Sequence, residues 1–349
     1  MGTRITNNIT VRNYLKGMRS NLSNLTSSNQ KLSTQRSFSK PSENITGAAR
    51  ALRVRKMLND NERNISSADS LASRLDTADS NLRSISAVYQ RMTDLVNRGI
   101  NDTMSNQDRQ ILANEVNNLR DQTLSIANSK YGNDYLFCSA GNADRSAPFK
   151  VGSDGLLYYN GNTTPIDQLV TDSSGKAAVD NGDGTTTEIE YNGVNYLDIG
   201  LGLSVSGSSG SFQLDTRTAV KSSLSGLDVF GYGVDASGVP NNFYSLFSNI
   251  ADHLSSGNTS ALKTELSTLS TSHDNMLIAL ADIGNSVSFV ENVSAQLESD
   301  RVSLQELQSS VEGVDLAEEI MYNKEFEMAW TVTLQLGSNI LPKSIFDFL

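Results

Sequence analysis

Apolar residues recur every three or four positions along several stretches of the chain, and the region between Pro148 and Pro240 lacks that rhythm. Near the start, Leu15, Met18, Leu22, Leu25 and Leu32 keep the spacing, with Asn29 as a polar interruption. A Ser-rich turn around Pro41 breaks the run, which resumes at Ile45, Leu52, Leu58 and Ile65. It then sharpens into Leu71, Leu75, Ala78, Leu82, Ile85, Tyr89, Met92 and Val96. After a polar break from Asn101 to Asp108, Leu112, Val116, Leu119, Thr123 and Ile126 form a third run. The longest register extends from Leu262 to Val311, with His273, Ser294, Arg301 and Gln308 as its polar entries. Such alternation of three and four is the seam of helices packed on helices. At 1.5 Å per residue the last run is a rod of about 75 Å. Beyond Phe326, the residues Met328, Trp330, Val332, Leu334, Leu336, Ile340 and Leu341 cover more than one helix face. A helix of that kind needs neighbours on several sides.

From about Pro148 to Pro240 the chain is rich in Gly, Ser, Thr, Asp and Asn. Short β-like runs at Gly155–Tyr159, Thr187–Tyr191 and Tyr196–Ile199 are separated by turn chemistry such as Asn181-Gly-Asp-Gly. The fold class expected is mainly α with an inserted β domain: long coiled-coil helices from both termini, a helical bundle and a small outer β domain. Residues 1–40 and 312–349 are expected to be paired terminal helices. Residues 41–150 and 242–311 would form the bundle with a hairpin-like extension, and 151–241 a separable β-rich insert. The seam from Leu15 to Leu32 is an 18-residue helix that is marginal alone in water, so the two ends are expected to order only on assembly.

Charge sharpens the pairing of the ends. Residues 1–42 hold Arg4, Arg12, Lys16, Arg19, Lys31, Arg36 and Lys40 and no acid, whereas Glu312, Asp315, Glu318, Glu319, Glu325, Glu327 and Asp347 dominate the last stretch. Arg12, Lys16 and Arg19 are therefore expected to pair with Glu318, Glu319 and Glu325. A net charge of −11 argues against a chain built to wrap nucleic acid. Nothing approaches the roughly 18 apolar residues of a membrane span, and the start of the chain has no apolar segment of the secretory kind. Cys138 is the one cysteine and His253 and His273 the two histidines, so neither an intrachain disulfide nor a thiolate metal site is available.

Candidate chemistry is sparse. Asp180-Asn-Gly-Asp-Gly opens like a calcium loop, but Thr185 stands where that loop needs glycine and Tyr191 where it needs glutamate. A hairpin turn is the better reading. Gly200-Leu-Gly202 lacks the third glycine and the following helix of a dinucleotide fingerprint. No catalytic, cofactor or metal residues are expected. The assembly interface is expected at Leu15, Met18, Leu22, Leu25 and Leu32 on one end, and at Leu316, Ile320, Phe326, Trp330, Leu334, Ile340 and Leu341 on the other.

Taken in order, several motifs resemble the flagellin-like hook-associated protein 3 family. They are Leu32-Ser-Thr, Lys40-Pro-Ser-Glu-Asn44, Ala48-Ala-Arg-Ala-Leu52, Asp134-Tyr-Leu-Phe137 with Ala147-Pro-Phe149, Val314-Asp-Leu-Ala-Glu318 and the closing Phe346-Asp-Phe-Leu349. Cys138 stands where that family usually has glycine. The resemblance covers roughly residues 1–150 and 250–349. It implies a structural protein at the junction between hook and filament, without enzymatic activity. Its neighbours would be the first hook-associated protein, flagellin and copies of itself in a ring. It further implies an extracellular place in the bacterial flagellum, reached unfolded through the flagellar type III system with an export chaperone on the C-terminal helix. A flagellin filament subunit is the near alternative, and a secreted coiled-coil adhesin or effector the distant one.

Overall fold

In the computed structural model, the structure describes residues 2–101, 104–138, 146–173, 175–189, 195–202, 205–206, 213–214 and 220–340. Seven helices are named here: α1 (Gly2–Thr34), α2 (Ile45–Gly99), α3 (Asn106–Ala127), α4 (Gly226–Phe230), α5 (Phe243–Ser256), α6 (Thr259–Glu312) and α7 (Leu316–Ile340). Short antiparallel strands lie between α3 and α4. The chain is mainly helical with a β-rich insertion, as the periodicity predicts. It divides into two compact units, one drawn from residues before Arg63 and after Glu298, the other spanning Arg63–Glu298.

Within the Arg63–Glu298 unit, the seam read from the sequence of α2 is the buried face. Leu71, Leu75, Ala78, Leu82, Ile85, Tyr89, Met92 and Val96 all belong to the core. On α6, Leu262, Leu269, Met276, Ile283, Val290 and Leu297 are buried at intervals of seven, and His273 lies half-buried among them. His273 stacks on Tyr89 with ring centroids 5.4 Å apart, and its Nε2 meets Ser86 Oγ at 2.8 Å. Burial holds this imidazole below the ordinary histidine range.

Helix α5 carries an apolar face of Phe243, Leu246, Phe247, Ile250, Ala251 and Leu254, which packs on α3. Asn242 caps its first turn by accepting from Ser245 N at 3.0 Å, and Gly257 ends it in the left-handed conformation. The Asn242 amide and the Ser245 hydroxyl both donate to Asp167, which ties this cap to the β-rich segment. Arg109 on α3 is buried, and its guanidinium donates to Gly99 O at 3.0 Å and Asn101 O at 3.4 Å. It thereby satisfies carbonyls that the end of α2 leaves without helical partners.

The β-rich segment is stitched into the same core. Phe149–Val151 pairs with Leu157–Tyr159, and Leu169–Thr171, Ala177–Asp180 and Thr186–Glu188 form a three-stranded sheet. The Asn181–Thr185 segment is the hairpin turn of that sheet, closed by Asn181 N donating to Thr185 O at 3.1 Å. Phe149 stands between Tyr159, Phe230 and Phe243, with ring centroids 5.0, 5.4 and 6.0 Å away. Tyr159 is fully buried; its hydroxyl donates to Phe137 O at 3.0 Å and accepts from Gly226 N at 2.9 Å. Aromatic side chains from before, within and after residues 151–241 fill one core.

Tyr159→Phe strands a buried carbonyl and a buried N–H, and it should cost the Arg63–Glu298 unit about 1–3 kcal/mol. Urea unfolding followed by near-ultraviolet circular dichroism measures this. An unchanged midpoint would show that the β segment contributes little to this core.

Candidate functional site, the paired ends of the chain

The other unit consists of α1, the start of α2, the end of α6, and α7. Helix α1 ends where Gln35 takes a left-handed φ of 56°. Helix α2 starts after Asn44, whose side chain accepts from Gly47 N at 2.8 Å. Between α6 and α7 the turn is equally specified. A side chain at Gly313 would overlap the Ser309 carbonyl, and Asp315 caps α7 by accepting from Ala317 N at 2.9 Å and Glu318 N at 3.2 Å.

Glu312 sits where these pieces meet. Only 4% of its surface is exposed. Arg55 Nε and Nη2 donate to its two carboxylate oxygens at 2.6 Å each, and Arg36 Nε lies 3.5 Å from Oε2. The Glu312 carbonyl accepts from Ser37 N at 2.8 Å, and Val314 N donates to Gln35 O at 3.2 Å. The Glu312 side chain thus joins three segments, its own helix α6, α2 through Arg55 and the end of α1 through Arg36. The paired Arg55 donors, with Arg36 behind them, hold the Glu312 carboxyl below its ordinary value, and the carboxylate in turn raises the Arg55 guanidinium.

From this clasp α1 and α7 run antiparallel. The α1 face turned to α7 consists of Val11, Tyr14, Met18, Asn21, Leu25, Ser28 and Leu32. The α7 face consists of Glu319, Asn323, Phe326, Trp330, Thr333 and Gly337. Both sets keep the three–four alternation, yet Asn21, Ser28, Glu319, Asn323 and Thr333 among them are polar. Tyr14 Oη donates to Thr333 O at 3.0 Å, and Asn21 Nδ2 to Thr333 Oγ1 at 2.8 Å. Asn323 Nδ2 donates to Ser28 Oγ at 3.2 Å and Asn29 Oδ1 at 2.8 Å, and Lys31 Nζ lies 3.5 Å from Glu319 Oε2. Tyr14 lies where a side chain at residue 337 would stand, so Gly337 is what lets the ring pass.

The expected interface residues separate into two groups. Met18, Leu25, Leu32, Phe326 and Trp330 are half-buried in the seam. Leu15 and Leu22 are 38% and 44% exposed, and Leu316, Ile320 and Leu334 are 43%, 52% and 49% exposed. The side chain of Ile340, and all of Leu341, lie outside the described residues. Of the expected charge pairs, Glu319 is matched, and by Lys31. Arg12, Lys16, Arg19, Glu318 and Glu325 form no ion pair among the described residues. The reason is helical phase: the mated face lies one step round from the Leu15–Leu22 stripe, which carries those cations outward. Two residues central to the site, Arg55 and Glu312, were not singled out by the sequence as a pair. They are 257 positions apart, and each alone reads as a solvated charge.

Elsewhere, titratable groups form structural pairs. Glu265 is buried and its Oε1 meets His253 Nδ1 at 2.6 Å, with burial raising the carboxyl above its ordinary range. Cys138 Sγ lies 3.3 Å from Asn160 Oδ1. Among the described residues no three His, Cys, Asp or Glu side chains converge as metal ligands, and no helix is long and apolar enough to cross a membrane.

Helices α1 and α7, from the two ends of the chain, thus pair antiparallel around a long insertion. Residues 5–141 match the bacterial flagellin N-terminal helical region. The chain is 27% identical to a flagellin of Clostridium tyrobutyricum over 168 residues, which are 46% of this chain and 45% of that one. The match thus spans less than half the length of that relative. The fold is shared with a candidate flagellar hook-associated protein from Vibrio parahaemolyticus, at a TM-score of 0.56 and 15% identity over 78% of this chain and all of that one. FlgL of Xanthomonas campestris aligns over 74% of this chain and 99% of its own, with 21% identity and a TM-score of 0.46.

Two predictions follow from the clasp and the seam. The unfolded chain takes up a proton on Glu312 near 4.5, whereas the folded unit resists it to lower pH. The clasp's stabilisation is therefore complete above that value and disappears as pH falls through the depressed folded pKa. Arg55→Ala should bring the acid-induced loss of α1 and α7 helicity to a higher pH, as read by circular dichroism; identical acid titrations would remove the clasp from the account. Gly337→Ala should displace Tyr14 and weaken the pair by about 1 kcal/mol, seen as faster proteolysis at Arg12 and Arg19. Tyr14→Phe should reproduce much of that loss.

Proposed function

We propose that this chain is a structural axial protein of the bacterial flagellum, and that it forms the junction between the hook and the filament. The observation that carries the reading is the closure of α1 on α7 by the Glu312 clasp, which leaves apolar stripes on both helices facing away from their own chain. A subunit of this kind stacks with copies of itself in a ring. It is bounded on the hook side by the first hook-associated protein and on the other side by flagellin. Its work is mechanical and geometric: it fits two different neighbours and transmits torque through packed seams, with no chemical step.

Passage through the flagellar type III channel suits a chain with a single cysteine whose terminal unit is built on two plain helices, α1 and α7. An export chaperone that covers the C-terminal helix would shield Met321, Met328 and Val332, which are 67%, 65% and 52% exposed. The match of residues 5–141 to the bacterial flagellin N-terminal helical region, and the likeness to a flagellin, favour a second reading, a filament subunit.

Immunogold labelling of isolated flagella separates the two. The junction reading predicts label confined to one zone at the hook end, and a deletion strain that assembles hooks and loses filaments. Label distributed along the filament would establish the second reading, and flagella free of label would exclude both.

A further inference from the structure

Between α4 and α6 the Arg63–Glu298 unit leaves a cavity of about 530 Å³. On the α6 side it is lined by Thr271, Asn275 and Ile278, which lie on one stripe at intervals of four and three. On the other side stand Asp228 of α4 and Tyr232, just after its end. Ile278 is 63% exposed, an apolar side chain that gains from any apolar group laid over it.

The polar groups of the lining are of two kinds. One kind holds the wall together: Ser272 Oγ donates to Asn241 O at 3.3 Å, and Asn241 Nδ2 donates to Tyr232 O at 3.3 Å. Gly231, with a φ of 81°, makes this possible, because a side chain there would overlap the Asn241 carbonyl. The other kind is unspent. The exposed Asn275 side chain forms no hydrogen bond among the described residues, and the exposed Asp228 forms no ion pair among them. The protein packed around Asp228 raises its carboxyl above the ordinary range, against the opposing pull of Lys221 and the Ser225 hydroxyl. Asp228 is thus a partly desolvated anion beside an apolar space, and it is the one charged residue among those lining the cavity.

We infer that this cavity is a binding site for a small organic cation, an ammonium group carried on an apolar body. Asp228 and the Asn275 carbonyl hold the ammonium, and the body lies over Ile278, Phe230 and Tyr232. Cavities of this size, largely apolar with a few convergent polar groups, are the usual form of a small-ligand site. The sign of the charge selects the ligand. A cation supplies the counter-charge that Asp228 lacks, in surroundings that screen the pair less than open water does. A tyrosine ring nearby attracts it further. A neutral body leaves Asp228 unmatched, and an anion is repelled. The site uses no residue of α1 or α7 and is separate from the axial role.

Isothermal titration calorimetry of the full chain at neutral pH and low salt tests this. Phenethylamine serves as the cation, phenylethanol as its neutral counterpart and phenylpropionate as its anionic one. The amine should bind at least about tenfold more tightly than the alcohol, and phenylpropionate should not bind. Asp228→Asn should bring the amine and the alcohol to the same affinity. Ile278→Arg places a tethered cation beside Asp228 and should abolish binding of the amine. Because Ile278 is exposed, that variant should keep the helix content and urea midpoint of the unmodified chain, and it carries the test if Asp228→Asn does not fold.

The inference is overturned if phenethylamine does not bind at about 10 mM, or if the alcohol binds as tightly as the amine. It is equally overturned if Asp228→Asn keeps the preference for the amine, or if Ile278→Arg binds the amine as the unmodified chain does. A chain confined to the hook end that ignores the amine would keep its axial role and lose this site. Amine binding with label elsewhere would do the reverse.

Discussion

The terminal unit depends on one buried carboxylate. Contact between Arg55 and Glu312 closes a loop of more than 250 residues, and the entropy lost in closing a chain grows only slowly with its length. A strong local interaction can therefore hold the two ends of such a chain together whatever lies between them. Glu312 supplies it because it is buried and because its two oxygens meet the fixed fork of one guanidinium. A buried anion without that fork would be costly, so the same residue that closes the loop also penalises any closure in the wrong register. The left-handed Gln35, the bare Gly313 and the Asp315 cap then set the directions in which α1 and α7 leave the clasp.

Beyond the clasp, the seam between α1 and α7 favours specificity over strength. Asn21, Ser28, Asn323 and Thr333 occupy positions where leucine would bury more apolar surface. Their hydrogen bonds can be made in one alignment, as a polar residue at a coiled-coil seam fixes register at a cost in stability. Leu15, Leu22, Met321, Met328 and Leu334 lie instead on the outer stripes, where exposed side chains gain from contact with something other than this chain. Weak intrachain pairing together with unused apolar surface is what a subunit needs if its ends are to gain most of their stability in an assembly.

Much of this was legible from spacing alone. The α2 seam from Leu71 to Val96 was read residue for residue, because those positions have a single partner, the core. Helix α1 was harder. Met18, Leu25 and Leu32 belong equally to two neighbouring stripes, and hydrophobicity chose the one with Leu15 and Leu22. The chain itself mates through Tyr14, Asn21 and Ser28, because hydrogen bonds rather than apolar area decide that face. Helix α5 lies inside the 242–311 segment expected to be bundle, but its own period of Phe243, Leu246, Phe247, Ile250 and Leu254 is short and follows directly on the β-rich region. The shared aromatic core of Phe149, Tyr159, Phe230 and Phe243 was hidden for another reason. Contacts between distant residues leave no local pattern, and the Gly- and Ser-rich turns around them suggest a separate module.

The central claim is that α1 and α7 are closed on each other as one cooperative piece by Glu312. Amide hydrogen exchange of the unmodified chain and of Glu312→Gln measures this most directly. The account predicts that protection in α1 and α7 falls together and by the same factor in the variant, while the amides of α3 and α5 keep theirs. Unchanged protection in both terminal helices, or a loss confined to one of them, would contradict it.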